Sequence, residues 1–173
     1  MNSVYEKSIS HSPIRIGTSG YTYSWNKKQP TPFKWYLSQG FNSVEINASY
    51  YRFPLDSWIN TWKVSIPKDF TFSIKVNRSI TDYLRLRGER ALELWNRFTK
   101  SLEGIYNNID FWLFKMPRSY RYTEENLQIV RTFFDKTHYY NPPSNINKVS
   151  FKFFIRFRTY FTLLNKFLTF QTY

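Results

Sequence analysis

No cysteine occurs in the 173 residues, which excludes disulfide frameworks, thiolate catalysis and thiolate-bound zinc. Histidine occurs only at His11 and His138, too few for a histidine-built metal site, so no metal ligands are expected. Alanine is confined to Ala48 and Ala91, and glycine to five positions. Acids are scarce as well: 12 Asp and Glu stand against 25 Lys and Arg, a formal net charge of +13. No run approaches the ~20 apolar residues needed to span a bilayer. The opening MNSVYEKSISHSP lacks the basic-then-apolar layout of a secretory leader. A cytoplasmic, soluble protein with no membrane partner is the expectation.

What fills the space left by small residues is aromatic. Seventeen Phe, 14 Tyr and 6 Trp make up 21% of the chain, so its core must be built from rings. The length suffices for one domain with a substantial core. The positive charge favours anionic partners and predicts salt-sensitive, nonspecific nucleic-acid binding. A basic surface alone fixes no binding mode.

Strand-like and helix-like segments alternate along the chain. IRIGT (14–18) reads as a short strand, and SGYTYSWNKKQPTP as a loop. Thr31 followed by Pro32 starts a helix that Gly40 stops. FNSVEIN (41–47) is the second strand. LDSWINTWKV places Trp58 and Trp62 on one helical face, and both are expected in the core with Trp95. FTFSIKV (70–76) alternates as a third strand. Leu92, Trp95, Phe98 and Leu102 form a helical stripe within 89–105. IDFWLFK (109–115) is a fourth strand, and Thr123 caps a helix whose Glu124 and Glu125 suit the positive end of its dipole.

This β-α order predicts parallel strands joined by right-handed crossovers. Strand parity then separates an open doubly wound sheet from a barrel. Val44 and Ile46 share one face of the second strand, opposite Ser43, Glu45 and Asn47. Phe70, Phe72, Ile74 and Val76 oppose Thr71, Ser73, Lys75 and Asn77 in the third. A sheet covered on both sides would show near-continuous apolar strands. One greasy and one polar face suits a barrel whose inward side chains at the strand C-terminal ends form a site. The fold expected is therefore α/β, a partial (β/α) TIM-barrel-like fold of four or five parallel strands rather than a complete eight-stranded barrel. Tyr50, Tyr51 and Arg52 would form the loop at its mouth.

RIGTSGYTYSW, FNSVEINASYYRFP, FTFSIKVNRSIT and FWLFKMPRSYRYTEENL, in that order, resemble the YecE-like family, domain of unknown function 72. The resemblance covers roughly residues 14–136 and implies a (β/α) barrel without a settled reaction. It places the family's glycine–serine turn on Gly17, Ser19 and Gly20, its Glu–Asn pair on Glu45 and Asn47, and its Tyr–Arg on Tyr51 and Arg52. Lys75 and Arg78 take the third-strand positions. The sequence departs from the pattern at Tyr21 (usually Trp), Asp82 (often His) and Lys115 (usually Gln), and only Arg156-Phe157-Arg158-Thr159 echoes a later Glu-Phe-Arg-His motif. Four β-α units and one further strand, FKFFIRF (151–157), fit in the chain, whereas a full barrel takes roughly 250 residues.

Residues 1–140 are thus expected to form the N-terminal half of such a barrel. Residues 141–173 hold nine aromatics and five Lys/Arg but no acid or glycine. They read as a divergent basic tail or as a fifth strand plus a helix carrying Tyr160, Leu163, Leu164, Phe167 and Leu168. The open barrel edge invites self-association.

Glu45 and Lys75 share inward parity on neighbouring strands. They read either as an acid–base pair gripping an anionic or polyhydroxyl, sugar-like or phosphate-like ligand, or as an ion pair that neutralises itself. Gly17, Ser19 and Gly20 can cradle an anion or simply make a tight turn. Asn47, Tyr51, Arg52 and Arg78 complete the expected binding set. The sequence names no cofactor and no reaction. Small-ligand binding, nucleic-acid association and an inactive remnant all remain open at this level.

Overall fold

The computed structural model describes residues 14–137 and the backbone of 152–156. His11, His138, the opening thirteen residues and the expected tail helix lie outside the described residues. Five parallel strands pair in sequential order: β1 (Gly17–Ser19), β2 (Ser43–Ile46), β3 (Thr71–Lys75), β4 (Ile109–Lys115) and β5 (Lys152–Arg156). The helices are α1 (Pro32–Ser38), α2 (Ala48–Tyr51), α3 (Asp56–Lys63), α4 (Gly88–Lys100) and α5 (Glu124–Thr137). A doubly wound sheet reverses its strand order. This one does not, and it is an incompletely closed, partial TIM-barrel-like fold.

Helix ends follow the local chemistry. Thr31 accepts a hydrogen bond from the Lys34 amide at 3.2 Å, and Pro32 opens α1. Thr123 accepts likewise from the Asn126 amide at 3.2 Å before α5. The fourth helix ends at Lys100 rather than running to Ile105. A 3-10 segment, Glu103–Asn108, tucks Ile105 and Tyr106 beneath β4 instead.

The outer sheet face carries the core. Phe72, Ile74, Val76 and Phe114 are fully buried. Phe33 of α1 and Trp62 of α3 pack on Phe72; Trp95 of α4 meets Trp112; Phe133 of α5 meets Phe114. Each buried ring contributes roughly 1.5–3 kcal/mol, which is how a chain nearly devoid of alanine fills its interior.

The inner face is curved, polar on β1 to β3 and apolar on β4, where Phe111 aligns with Ser73 and Leu113 with Lys75. In a flat sheet β1 and β4 would stand about 14 Å apart. Yet Arg15, just before β1, reaches Asp110 of β4, Nε to Oδ2, at 3.8 Å. A bulge helps: Phe72 pairs with Ile109 and Ser73 with Phe111, leaving Asp110 as the extra residue. Arg15 also donates to the Asp69 carbonyl at 2.8 Å. The N-terminal end of the trough is thereby tied together.

Strand β1 is shorter than the expected IRIGT. Ile14 and Ile16 precede its paired residues and are 79% and 60% exposed. Asn42 anchors this stretch instead, its side chain bonding the Ile16 amide at 2.7 Å and the Ile14 carbonyl at 2.9 Å. The predicted fifth strand is present at 152–156, aligned with β4 from Phe111↔Lys152 to Lys115↔Arg156.

Candidate functional site

Four side chains at the C-terminal ends of β1, β2 and β3 form one hydrogen-bonded row. Lys75 Nζ donates to Asn47 Oδ1 at 2.8 Å; Asn47 Nδ2 donates to Ser19 Oγ at 2.5 Å; Ser19 Oγ donates to Glu45 Oε1 at 3.1 Å. Every donor points the same way, from an ammonium to a carboxylate, so the charges at the two ends polarise the neutral groups between them. The register explains the meeting. Ser19 aligns with Glu45 and Glu45 with Ser73, and Lys75 lies two residues further on the same face.

Asn47 takes a helical backbone directly after β2, so the strand turns into α2. Tyr50 and Tyr51 therefore stand on a helical turn, not on a loop. Ser49 fixes the turn, its hydroxyl 2.7 Å from the Ile46 carbonyl and 2.6 Å from that of Lys75. Buried Asn77 adds a bond of 3.0 Å to the Ser49 carbonyl.

Ser19 and Asn47 also line a cleft of about 350 Å³, together with Gly20, Tyr21, Tyr23, Trp58 and Trp62. Trp62 Nε1 donates to the Tyr21 hydroxyl at 3.0 Å, and Tyr23 donates to the Ser19 carbonyl. Burial pushes the Tyr21 hydroxyl above its ordinary pKa, with the Trp62 bond opposing the shift. Trp58 packs against the core beside Trp62, as expected, and being half-buried it also lines this cleft. Its helical partner Trp62 is buried as expected. The one legible hint was the aromatic spacing of the loop at 21–25, which periodicity cannot distinguish from packing.

Beside the row stands a second group that the sequence did not assemble. Tyr50, 6% exposed, donates to Asp82 Oδ2 and accepts from Lys115 Nζ at 2.8 Å. Lys115 lies 3.9 Å from the same carboxylate oxygen. Both ammoniums approach the Tyr50 ring, Lys75 at 5.2 Å and Lys115 at 4.7 Å from its centroid. Burial, then the bond to Asp82, raises the Tyr50 pKa, and Lys115 offsets part of the rise. The hydroxyl therefore stays protonated at neutral pH.

The remaining expected residues divide. Gly20 has φ +93° and lines the cleft, but its amide is engaged by the Thr18 carbonyl at 3.1 Å. Gly17 is required by close packing: a Cβ there would lie 2.0 Å from the Ser43 carbonyl oxygen. Arg78 stands with Tyr51, its guanidinium 5.7 Å from that ring and 5.6 Å from the Tyr83 ring. Arg52 is exposed at the end of α2. Among the described residues no three His, Asp or Glu side chains gather where they could hold a metal ion, and no helix is long and apolar enough to cross a membrane.

A sequential parallel sheet, helices on its outer face and polar side chains at its strand C-terminal ends define a protein of the (β/α)-barrel class. The pattern of the family described as "Protein of unknown function DUF72" matches residues 15–163, and the chain belongs to that family. The chain is similar to a solved DUF72 family protein of Thermotoga maritima, at 24% identity and a TM-score of 0.62 over 83% of this chain and 55% of that one. A DUF72 family protein of Enterococcus faecalis is similar at 18% identity and a TM-score of 0.58, over 83% and 50%. At these identities the likeness speaks for the fold. The chain spans about half the length of these structures. No curated protein matches the sequence.

Proposed function

We propose that this chain binds a small polyhydroxyl compound of the sugar or sugar-phosphate class at the C-terminal end of its sheet. The observation that carries the reading is the directed row Lys75–Asn47–Ser19–Glu45, whose middle members Asn47 and Ser19 line an aromatic cleft of about 350 Å³. Sugars present apolar C–H faces that rings such as Tyr23 and Trp58 can cover, and hydroxyls that need paired donors and acceptors. Glu45 accepts from a hydroxyl, Asn47 and Ser19 can do both, and Lys75 suits an anionic substituent. If the ligand is transformed, Glu45 and Lys75 are the groups with acid–base capacity.

Four of the six tryptophans, Trp25, Trp35, Trp58 and Trp62, lie at or near the cleft, so ligand binding is readable by fluorescence. Titration with a panel of monosaccharides and their phosphates should give saturable quenching, and Asn47→Ala should weaken it about tenfold. Absence of binding at millimolar concentration across the panel overturns the reading.

A second reading, nucleic-acid association, is supported by Arg78 lying against the exposed rings of Tyr51 and Tyr83, an arrangement suited to stacking on bases. Steep salt dependence of oligonucleotide binding, lost in Arg78→Ala, would favour it. Self-association through the edge strand β1 is supported by the exposure of Ile14 and Ile16, and sedimentation of the full chain tests it.

A further inference from the structure

The cleft does not end at Tyr23. The Tyr23 ring, which lines it, stacks on Trp25 with centroids 5.4 Å apart and planes 19° from parallel, and Trp25 meets Trp35 at 5.6 Å. Tyr23 and Trp25 are 41% and 46% exposed. Large rings left in water on a small domain call for a reason. Here they continue a lined cavity outward along one path.

The loop bearing them is held rigid. Asn26 is buried and uses its whole side chain: Nδ2 bonds the Pro32 carbonyl at 2.9 Å and that of Tyr21, and Oδ1 accepts from the Lys28 amide at 2.7 Å. That last bond holds Lys28 in a left-handed backbone, φ +61°. Rings fixed in this way lose little freedom on meeting a ligand.

The loop and helix that bear these rings carry one sign of charge. Lys27 and Lys28 follow Trp25 in the loop and Lys34 precedes Trp35 on α1; all three are exposed, and no Asp or Glu occurs between Glu6 and Glu45. Glu45 lies at the other end, behind Ser19, whose hydroxyl donates to it. A ligand running from cleft to platform would thus offer hydroxyls at its inner end and ring faces with negative charge at its outer end.

We infer that Tyr23, Trp25 and Trp35, flanked by Lys27, Lys28 and Lys34, form an outer subsite for an acidic oligosaccharide whose terminal sugar occupies the cleft. This rests on the sugar-binding reading of the cleft and extends it to ligand length and charge. Glu45 favours a glycan over a DNA strand here, since a carboxylate accepts from hydroxyls, of which a sugar offers several and a deoxyribose backbone almost none.

Calorimetry on the full chain should compare galacturonic acid, tetragalacturonic acid, uncharged maltotetraose and a short oligothymidylate. The acidic tetramer is expected to bind about tenfold or more tighter than its monomer. Trp25→Ala should weaken the tetramer about tenfold more than the monomer, and Lys27→Ala/Lys28→Ala should flatten its salt dependence while thermal melting confirms both variants folded. Equal affinity for monomer and tetramer overturns the outer subsite and leaves the cleft reading standing. Maltotetraose binding as tightly as the acidic tetramer overturns the charge assignment, and tighter binding of the oligothymidylate assigns the platform to nucleic acid instead. Failure of every sugar removes both the subsite and the reading beneath it.

Discussion

The ammonium of Lys115, at the end of β4, lies 2.8 Å from the hydroxyl of Tyr50 on α2, and that hydroxyl donates to Asp82. One neutral phenol thus sits between a cation and an anion. The π-helical turn Ser79–Tyr83 after β3 supplies Asp82, so three β-α units are joined at a single oxygen. Tyr50→Phe removes both bonds while keeping the ring that Lys75 and Lys115 approach. Hydrogen bonds to charged groups contribute about 1.5–3 kcal/mol each, and Lys115 is 39% exposed at its side chain, so water recovers part of the loss. A destabilisation of about 2 kcal/mol by urea denaturation is expected. A change within a few tenths would show that the three groups are merely adjacent.

Raised tyrosine pKa values set a limit at the alkaline end. Tyr21, Tyr50 and Tyr120 are all shifted above 10.0, each first by burial. A proton held more tightly in the folded state stabilises it fully below the unfolded pKa, near 10. That contribution is lost as pH rises through the folded values. Thermal stability should accordingly fall above about pH 10. Absorbance titration of the phenolates should show a late-ionising fraction in the folded chain that disappears in denaturant. Tyr50→Phe should shrink that fraction.

Gly17 and Gly20 make opposite demands on a methyl group. At Gly17 a Cβ collides with the Ser43 carbonyl at 2.0 Å, where the Tyr36 hydroxyl also bonds Ser43 O at 2.7 Å. At Gly20 nothing lies within 4 Å, but φ is +93°. Gly17→Ala must push β1 from β2 and should cost about 3 kcal/mol or more; Gly20→Ala should cost about 1 kcal/mol from backbone strain alone. Chemical denaturation of the two variants checks the order. Equal effects would mean that β1 yields readily.

The sequence made β3 legible because it alternates strictly and β4 because it is a short apolar run ended by Lys115 and Pro117, and IDFWLFK matches β4 residue for residue. The row from Glu45 to Lys75 was legible in part, since parity put both on the inner face, but the linking roles of Asn47 and Ser19 depend on register. Tyr50, Asp82 and Lys115 could not be grouped. They come from three separate segments, and Asp82 and Lys115 stood out only as departures from a family pattern, with nothing local to pair them. Trp58 shows the complementary difficulty: helical spacing finds the buried face of α3, while the shape of the loop at 20–23 decides that part of this face lines a cleft.

The strand at 152–156 yields the last prediction. It pairs with β4 along five registered positions, Phe111↔Lys152 through Lys115↔Arg156, and Lys115 at the end of that ladder also holds Tyr50. Ending the chain after residue 140 would turn β4 from an interior strand into an edge. Its row of backbone groups would meet water or another chain, and the lost ladder bonds contribute about 0.5–1.5 kcal/mol each. Summed over about five bonds, this reaches the lower part of the net stability of a typical domain, about 5–15 kcal/mol. Residues 1–140 alone are therefore expected to melt at a much lower temperature and to aggregate. Full-length chain with Phe154→Pro offers a milder test, because proline removes one ladder donor without removing the segment. If the truncated chain melts where the full chain does and stays monomeric in sedimentation, β5 is dispensable and β4 must be protected by some other contact.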